Sequence, residues 1–181
     1  MDKILNRIYK ITTILFFIGI VIFFIGSLSL MTELFLLVDY QSYLRPEALI
    51  LYNTAKDLNR VLFDVATYLV VIGSFTMFFK LYRKQIKLIA FIYLIISIVL
   101  TIILTGIYSL ELFDLFNLYH ATDISWNSNA NQELLRYTEP SDYWIVFTLA
   151  STLISFITSV ISLPVTITYY LKLRKPNGEV V

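Results

Sequence analysis

The chain has 181 residues, of which 58% are hydrophobic and 15% charged, with a formal net charge of +1. A water-soluble domain ordinarily carries about 45–50% apolar and about 25% charged residues, so water is excluded as the main solvent of this surface. Cysteine is absent, which excludes a disulfide framework, a thiolate metal site and a cysteine nucleophile, and the near-neutral charge leaves no basic surface for nucleic acid.

The apolar residues fall in four blocks, at about 11–31, 61–79, 86–108 and 144–171. Each reaches the roughly 20 residues a helix needs to cross about 30 Å of hydrocarbon, and each is apolar around its circumference, as lipid contact requires. The expected fold is an all-α integral membrane protein, a single domain of four transmembrane helices.

The first block follows Lys3, Arg7 and Lys10, the flank of a secretory signal, but it exceeds the 7–15 apolar residues of such a segment and reads as a retained start-transfer helix. Gly19 and Gly26 in it stand seven apart and mark a face for close packing. The outer loop that follows, about residues 32–60, is expected to be partly helical: Glu33 and Asp39 extend the first helix, and Thr54 with Asp57 resembles a capping box that opens the second.

Asp64 is the one ionisable residue well inside an apolar block, about a turn within span two, with Arg60 a turn before it. An acid at mid-bilayer costs about 2.5–3.5 kcal/mol and less towards the interface. The pair reads first as an interfacial ion pair that sets the helix register, and second as a cation or proton site.

A short connection around residues 80–85 makes spans two and three a tight antiparallel hairpin. Span three carries Ser97, Thr101, Thr105 and Ser109 at four-residue spacing, which advances a helix by about 400° and lays the hydroxyls in one stripe. Such a stripe lets backbones approach closely; the competing reading is a weakly polar lining for a pore. In the second outer loop, about residues 109–143, the segment SLELFDLFNLY repeats Glu111, Asp114 and Asn117 every three residues. It continues span three as a helix or lies in the headgroup plane, and the turn-rich ATDISWNSNANQ after it is irregular. His120, the only histidine, lies near Glu111, Asp114 and Asp123, but their spacing matches no metal motif and no metal site or cofactor is expected.

Span four carries a second stripe, Ser151, Ser155 and Ser159, and then Pro164. The proline cannot donate to the Val160 carbonyl, which predicts a kink between Val160 and Pro164, serving helix fit before any gating hinge.

Charge sets the orientation. Lys3, Arg7, Lys10, Lys80, Arg83, Lys84, Lys87, Lys172, Arg174 and Lys175 lie on one side, against Arg45, Lys56, Arg60 and Arg136 on the other. Cytoplasmic loops retain Lys and Arg, so both termini are expected in the cytoplasm of a cell-membrane protein. Only Asp2 and Glu179 among the acids lie on that side, and the outer surface is anionic. Aromatics gather at both boundaries: Tyr40, Tyr43, Tyr52, Tyr119, Trp126, Tyr143 and Trp144 outside, and Tyr9, Tyr82, Tyr169 and Tyr170 inside, as in an interfacial belt.

No phosphate-binding glycine loop, nucleophile triad or paired glutamate-histidine helix motif occurs in the sequence. The leading expectation is a non-enzymatic membrane subunit, scaffold or sensor, embedded in the lipid bilayer and packing as a homo-oligomer or with a partner membrane protein. The alternatives are a small oligomeric channel or transporter using the hydroxyl stripes and Asp64, and a membrane enzyme with a surface metal.

Overall fold

The computed structural model describes residues 3–38, 45–82, 88–123 and 142–174. Four helices fill them: α1 (Lys3–Val38), α2 (Pro46–Tyr82), α3 (Leu88–Ala121) and α4 (Tyr143–Arg174). Each is long and apolar enough to cross a membrane, over Lys3–Ser29, Pro46–Phe78, Leu88–Ala121 and Tyr143–Lys172. At about 1.5 Å per residue the helices are roughly 50 Å long, well beyond the ~30 Å of hydrocarbon.

The helices therefore run past the apolar blocks, because the backbone hydrogen-bond ladder has no reason to stop where lipid does. Helix α2 begins at Pro46, with the Leu49 amide donating to the Arg45 carbonyl at 2.9 Å. Proline is at home there because its missing N–H falls among donors that have no helical partner, and Glu47 in the first turn complements the helix dipole. This corrects the expected start at a Thr54 cap: the Thr54 hydroxyl donates to the Ile50 carbonyl at 3.0 Å, one turn back within the helix.

The segment from Ser109 to Tyr119 continues α3, burying Leu112, Leu115 and Tyr119 and exposing Glu111, Asp114 and Asn117. Much of what was expected as outer loop, 32–60 and 109–143, is thus helix that extends the bundle. The irregular segment expected after Ala121 lies outside the described residues from 124 onward, as do Tyr40, Tyr43, Trp126, Arg136 and the connection at 83–87.

The helices stand in a ring in chain order, with α4 closing back on α1. Among ring neighbours, contact is most extensive between α1 and α4 and least between α2 and α3. Successive helices run antiparallel. Residues 3–10 of α1 meet the end of α4 at one pole, through Tyr9 on Tyr169, and Arg45 before α2 meets Asp123 after α3 at the other. We call these the terminal end and the loop end.

All four helices supply the core, which includes Phe16, Ile20, Phe23, Leu62, Leu69, Ile98, Leu112 and Ile145, all fully buried. The outside is equally apolar, with Ile18, Ile96, Ile103 and Ile157 among its exposed residues, while Thr13, Thr101, Thr105, Thr148, Thr152 and Ser155 are shut inside. An exterior as apolar as the core, with small hydroxyl residues set among the buried contacts, suits lipid as solvent, where burying apolar area gives no drive and close backbone approach does.

The boundary aromatics stand at the two ends of the bundle and pack there. Tyr9, Tyr119, Trp144, Tyr169 and Tyr170 are buried, and they tie helix ends to each other. Tyr9 stacks on Tyr169 with ring centroids 3.9 Å apart, Phe91 on Tyr170 at 3.7 Å, and Tyr119 meets Trp144 edge-on at 6.0 Å. Tyr143 is exposed, as a belt residue would be.

Candidate functional site

The seam between α1 and α4 is built from glycine against hydroxyl residues. A Cβ added to Gly26 would overlap the Ser151 side chain and come within 3.5 Å of the Thr148 backbone; one added to Gly19 would overlap the Thr158 hydroxyl and come within 3.2 Å of the Ser155 backbone. Gly19 and Gly26 are seven apart, and so are Ser151 and Thr158, so an antiparallel pair of heptad-spaced small positions meets in register.

The hydroxyls in that seam are mostly closed on backbone. Ser151 donates to the Thr148 carbonyl at 2.7 Å, Thr152 to the same oxygen at 2.8 Å, and Ser159 to the Ser155 carbonyl at 2.7 Å. Thr148 reaches across the seam to the Gly26 carbonyl at 2.8 Å. Ser155 differs: its Oγ is buried with no hydrogen-bond partner among the described residues.

On α3, Ser97, Thr101 and Thr105 are at most 2% exposed. They form a ladder in which each hydroxyl donates one turn back, Ser97 to Tyr93 and Thr101 to Ser97 at 2.8 Å, and Thr105 to Thr101 and Ser109 to Thr105 at 2.7 Å. A hydroxyl engaged this way presents its carbon side to the neighbouring helix and widens nothing. Both stripes thus lie inside one bundle, the α4 stripe against α1.

Arg60 and Asp64 lie together on α2, both exposed, and among the described residues no ion pair joins them. Two ion pairs stand at the loop end. Arg45 Nη1 lies 2.6 Å from Asp123 Oδ2, and His120 Nε2 lies 3.3 Å from Asp142 Oδ2. No group of three metal-capable side chains gathers among the described residues. Pro164 sits in α4 without breaking it, and the helix runs on to Arg174.

The four-residue spacing of the α4 stripe does not single out Thr148 and Thr158, though Thr148 bonds to the Gly26 carbonyl and Thr158 lies against Gly19. Pairing the heptad interval of Gly19 and Gly26 with the same interval in α4 is the signal that finds Thr158 opposite Gly19. Thr148 carries no signal of its own beyond being a small residue one turn before Thr152. Comparison with known protein families, curated proteins and solved structures finds no match to this chain.

Proposed function

We propose that this protein is a non-enzymatic, multi-pass subunit, scaffold or sensor of the cell membrane, with both termini in the cytoplasm, that works by packing its outer helix faces against other membrane helices. The observation that carries the reading is that every hydroxyl of the α3 stripe, and all of the α4 stripe but Ser155, donates to a backbone carbonyl of its own helix. Most of the groups that would line a permeation path instead donate to their own backbone, on α3 from Thr101 and Thr105 and on α4 from Ser151 and Ser159, the α4 set in a seam made tight by Gly19 and Gly26. Outward-facing polar side chains such as Asp64 on α2 are what an assembling subunit keeps for a neighbour.

The orientation rests on the ten cations grouped with the termini and the 80–87 connection. A reporter fused after Val181 tests it, with cytoplasmic activity expected and activity on the far side contradicting it. Native mass spectrometry from mild detergent tests the assembly reading. We expect self-association or a stoichiometric co-purifying membrane protein, and a strictly monomeric species without partner overturns the reading.

A further inference from the structure

We infer that the outward face of α2 is the contact surface for a second copy of this chain, in a two-fold pair where Arg60 of each copy meets Asp64 of the other. The inference rests on the assembly reading above and names the surface and the occupant.

Arg60, Asp64, Thr67, Val71 and Ser74 follow one another at intervals of four, three, four and three residues, the alternation that keeps one seam turned to a neighbouring helix. All five are exposed. The opposite face of α2, with Leu62, Ala66 and Leu69, is fully buried in the bundle. The stripe therefore points away from the protein's own core.

Its depth matters. Phe63 packs on Phe24 of α1, ring centroids 5.8 Å apart, and Phe24 lies seven residues inside the end of the 11–31 block. That is about 10 Å along a helix. Asp64 itself is about one turn inside the 61–79 block, and its side chain turns outward, where an ionisable residue within a span ordinarily turns towards protein. The composition of α2 points the same way. Helices α2 and α3 leave equal shares of their spans unburied, but α3 is the most apolar of the four and α2 the least. A helix with that much surface in lipid would be expected to resemble α3.

The charges select the occupant. Arg60 precedes Asp64 by four residues on the same stripe without pairing, and a cation N-terminal to an acid is the weaker order for a pair within one helix. One cation and one anion on a single face are self-complementary. About a two-fold axis along the membrane normal identical residues share a level, so each Asp64 meets the other copy's Arg60 diagonally, one turn along the seam, and the two cross-pairs close together, whereas a neighbour bearing a lone cation would satisfy Asp64 and strand Arg60. Thr67 and Ser74 donate to the Phe63 and Val70 carbonyls at 2.8 and 2.7 Å. They are small, closed positions at which two backbones can approach.

The sequence has no cysteine, so single-cysteine variants of the full chain report contacts directly in native membranes. Thr67→Cys and Ser74→Cys are expected to give disulfide-linked dimers on mild oxidation, well above Ile103→Cys on the exposed face of α3. In the Thr67→Cys background, Arg60→Asp or Asp64→Arg alone is expected to cut the dimer yield about tenfold. The double exchange Arg60→Asp with Asp64→Arg is expected to restore it, a rescue that misfolding would not give. The inference is overturned if Thr67→Cys and Ser74→Cys link no better than Ile103→Cys, if they link only to a different polypeptide, or if the single reversals change nothing. Dimers that link through Ile103→Cys while α2 stays silent sink this surface and leave the assembly reading standing; absence of any self- or partner-association sinks both.

Discussion

The Thr148 hydroxyl donates to the Gly26 carbonyl at 2.8 Å, bridging α4 and α1 across 122 residues of sequence. The same oxygen lies 2.8 Å from the Trp144 carbonyl one turn back, so its proton is shared between a bond within the helix and a bond between helices. In lipid such a hydroxyl has no water to fall back on. The seam opposite Gly26 is where the bundle commits a polar group to hold two helices together.

Thr148→Val keeps the shape of the side chain and removes the donor. Interhelical bonds of this kind contribute about 0.6 kcal/mol, and up to about 1.7. The variant should lose stability in that range, as measured by detergent-driven unfolding in mixed micelles. A loss near the upper figure would mean that the bond across the seam carries most of the shared proton.

Gly26→Ala should cost more, about 1–3 kcal/mol, because the new methyl overlaps the Ser151 side chain in a seam with little room to give. Adding Ser151→Gly clears the obstruction. A double-mutant cycle on the two positions should therefore return a coupling of at least about 0.5 kcal/mol, and purely additive losses would show that the backbones simply move apart.

Ser155→Ala should be neutral or stabilising by up to about 1 kcal/mol. The Ser155 Oγ is fully buried without a partner, and removing a buried polar atom that makes no hydrogen bond relieves its desolvation cost. The same unfolding assay reads it, with Ser159→Ala as the reference, because Ser159 loses a 2.7 Å bond to the Ser155 carbonyl.

Arg45→Ala should lower stability by no more than about 1 kcal/mol, with the difference shrinking as salt rises. The Arg45 and Asp123 side chains are both about half exposed, at 50% and 54%, and a pair in contact with water gives little net energy and is screened. A large, salt-independent loss would mean that this contact orders the loop end as a whole.

What the sequence disclosed divides along physical lines. The four spans were legible because lipid imposes one demand, length without charge, and residues such as Ile18, Ile96 and Ile157 meet it openly. Helix ends were harder. Lipid ends at a boundary, but the hydrogen-bond ladder of α2 runs back to Pro46, and the signal for it was Pro46 followed by Glu47 and not the Thr54 and Asp57 spacing. The hydroxyl stripes were legible as stripes, yet their partners were not: nothing local in Ser151 says that Gly26 lies opposite. Arg60 and Asp64 share a face, as their spacing requires, but a helix periodicity cannot say whether that face looks into the bundle or out of it.

The terminal end supplies a test with a spatial readout. Tyr169 lies on Tyr9 with ring centroids 3.9 Å apart and planes within 4°, and its hydroxyl reaches Asn6 Oδ1 only at 3.4 Å, which is long for a hydroxyl donor. The ring, not the hydroxyl, should hold the start of α1 to the end of α4. Tyr169→Phe should then change stability by less than about 0.5 kcal/mol, whereas Tyr169→Ala forfeits a stacking term of about 0.5–1.5 kcal/mol together with the ring's packing. Because helix ends open independently of the bundle's middle, hydrogen exchange should accelerate in Tyr169→Ala near Asn6 and Tyr170 and stay unchanged near Trp144 at the far pole. Exchange that rises equally at both poles would show that the stacked tyrosines support the whole bundle and not one end of it.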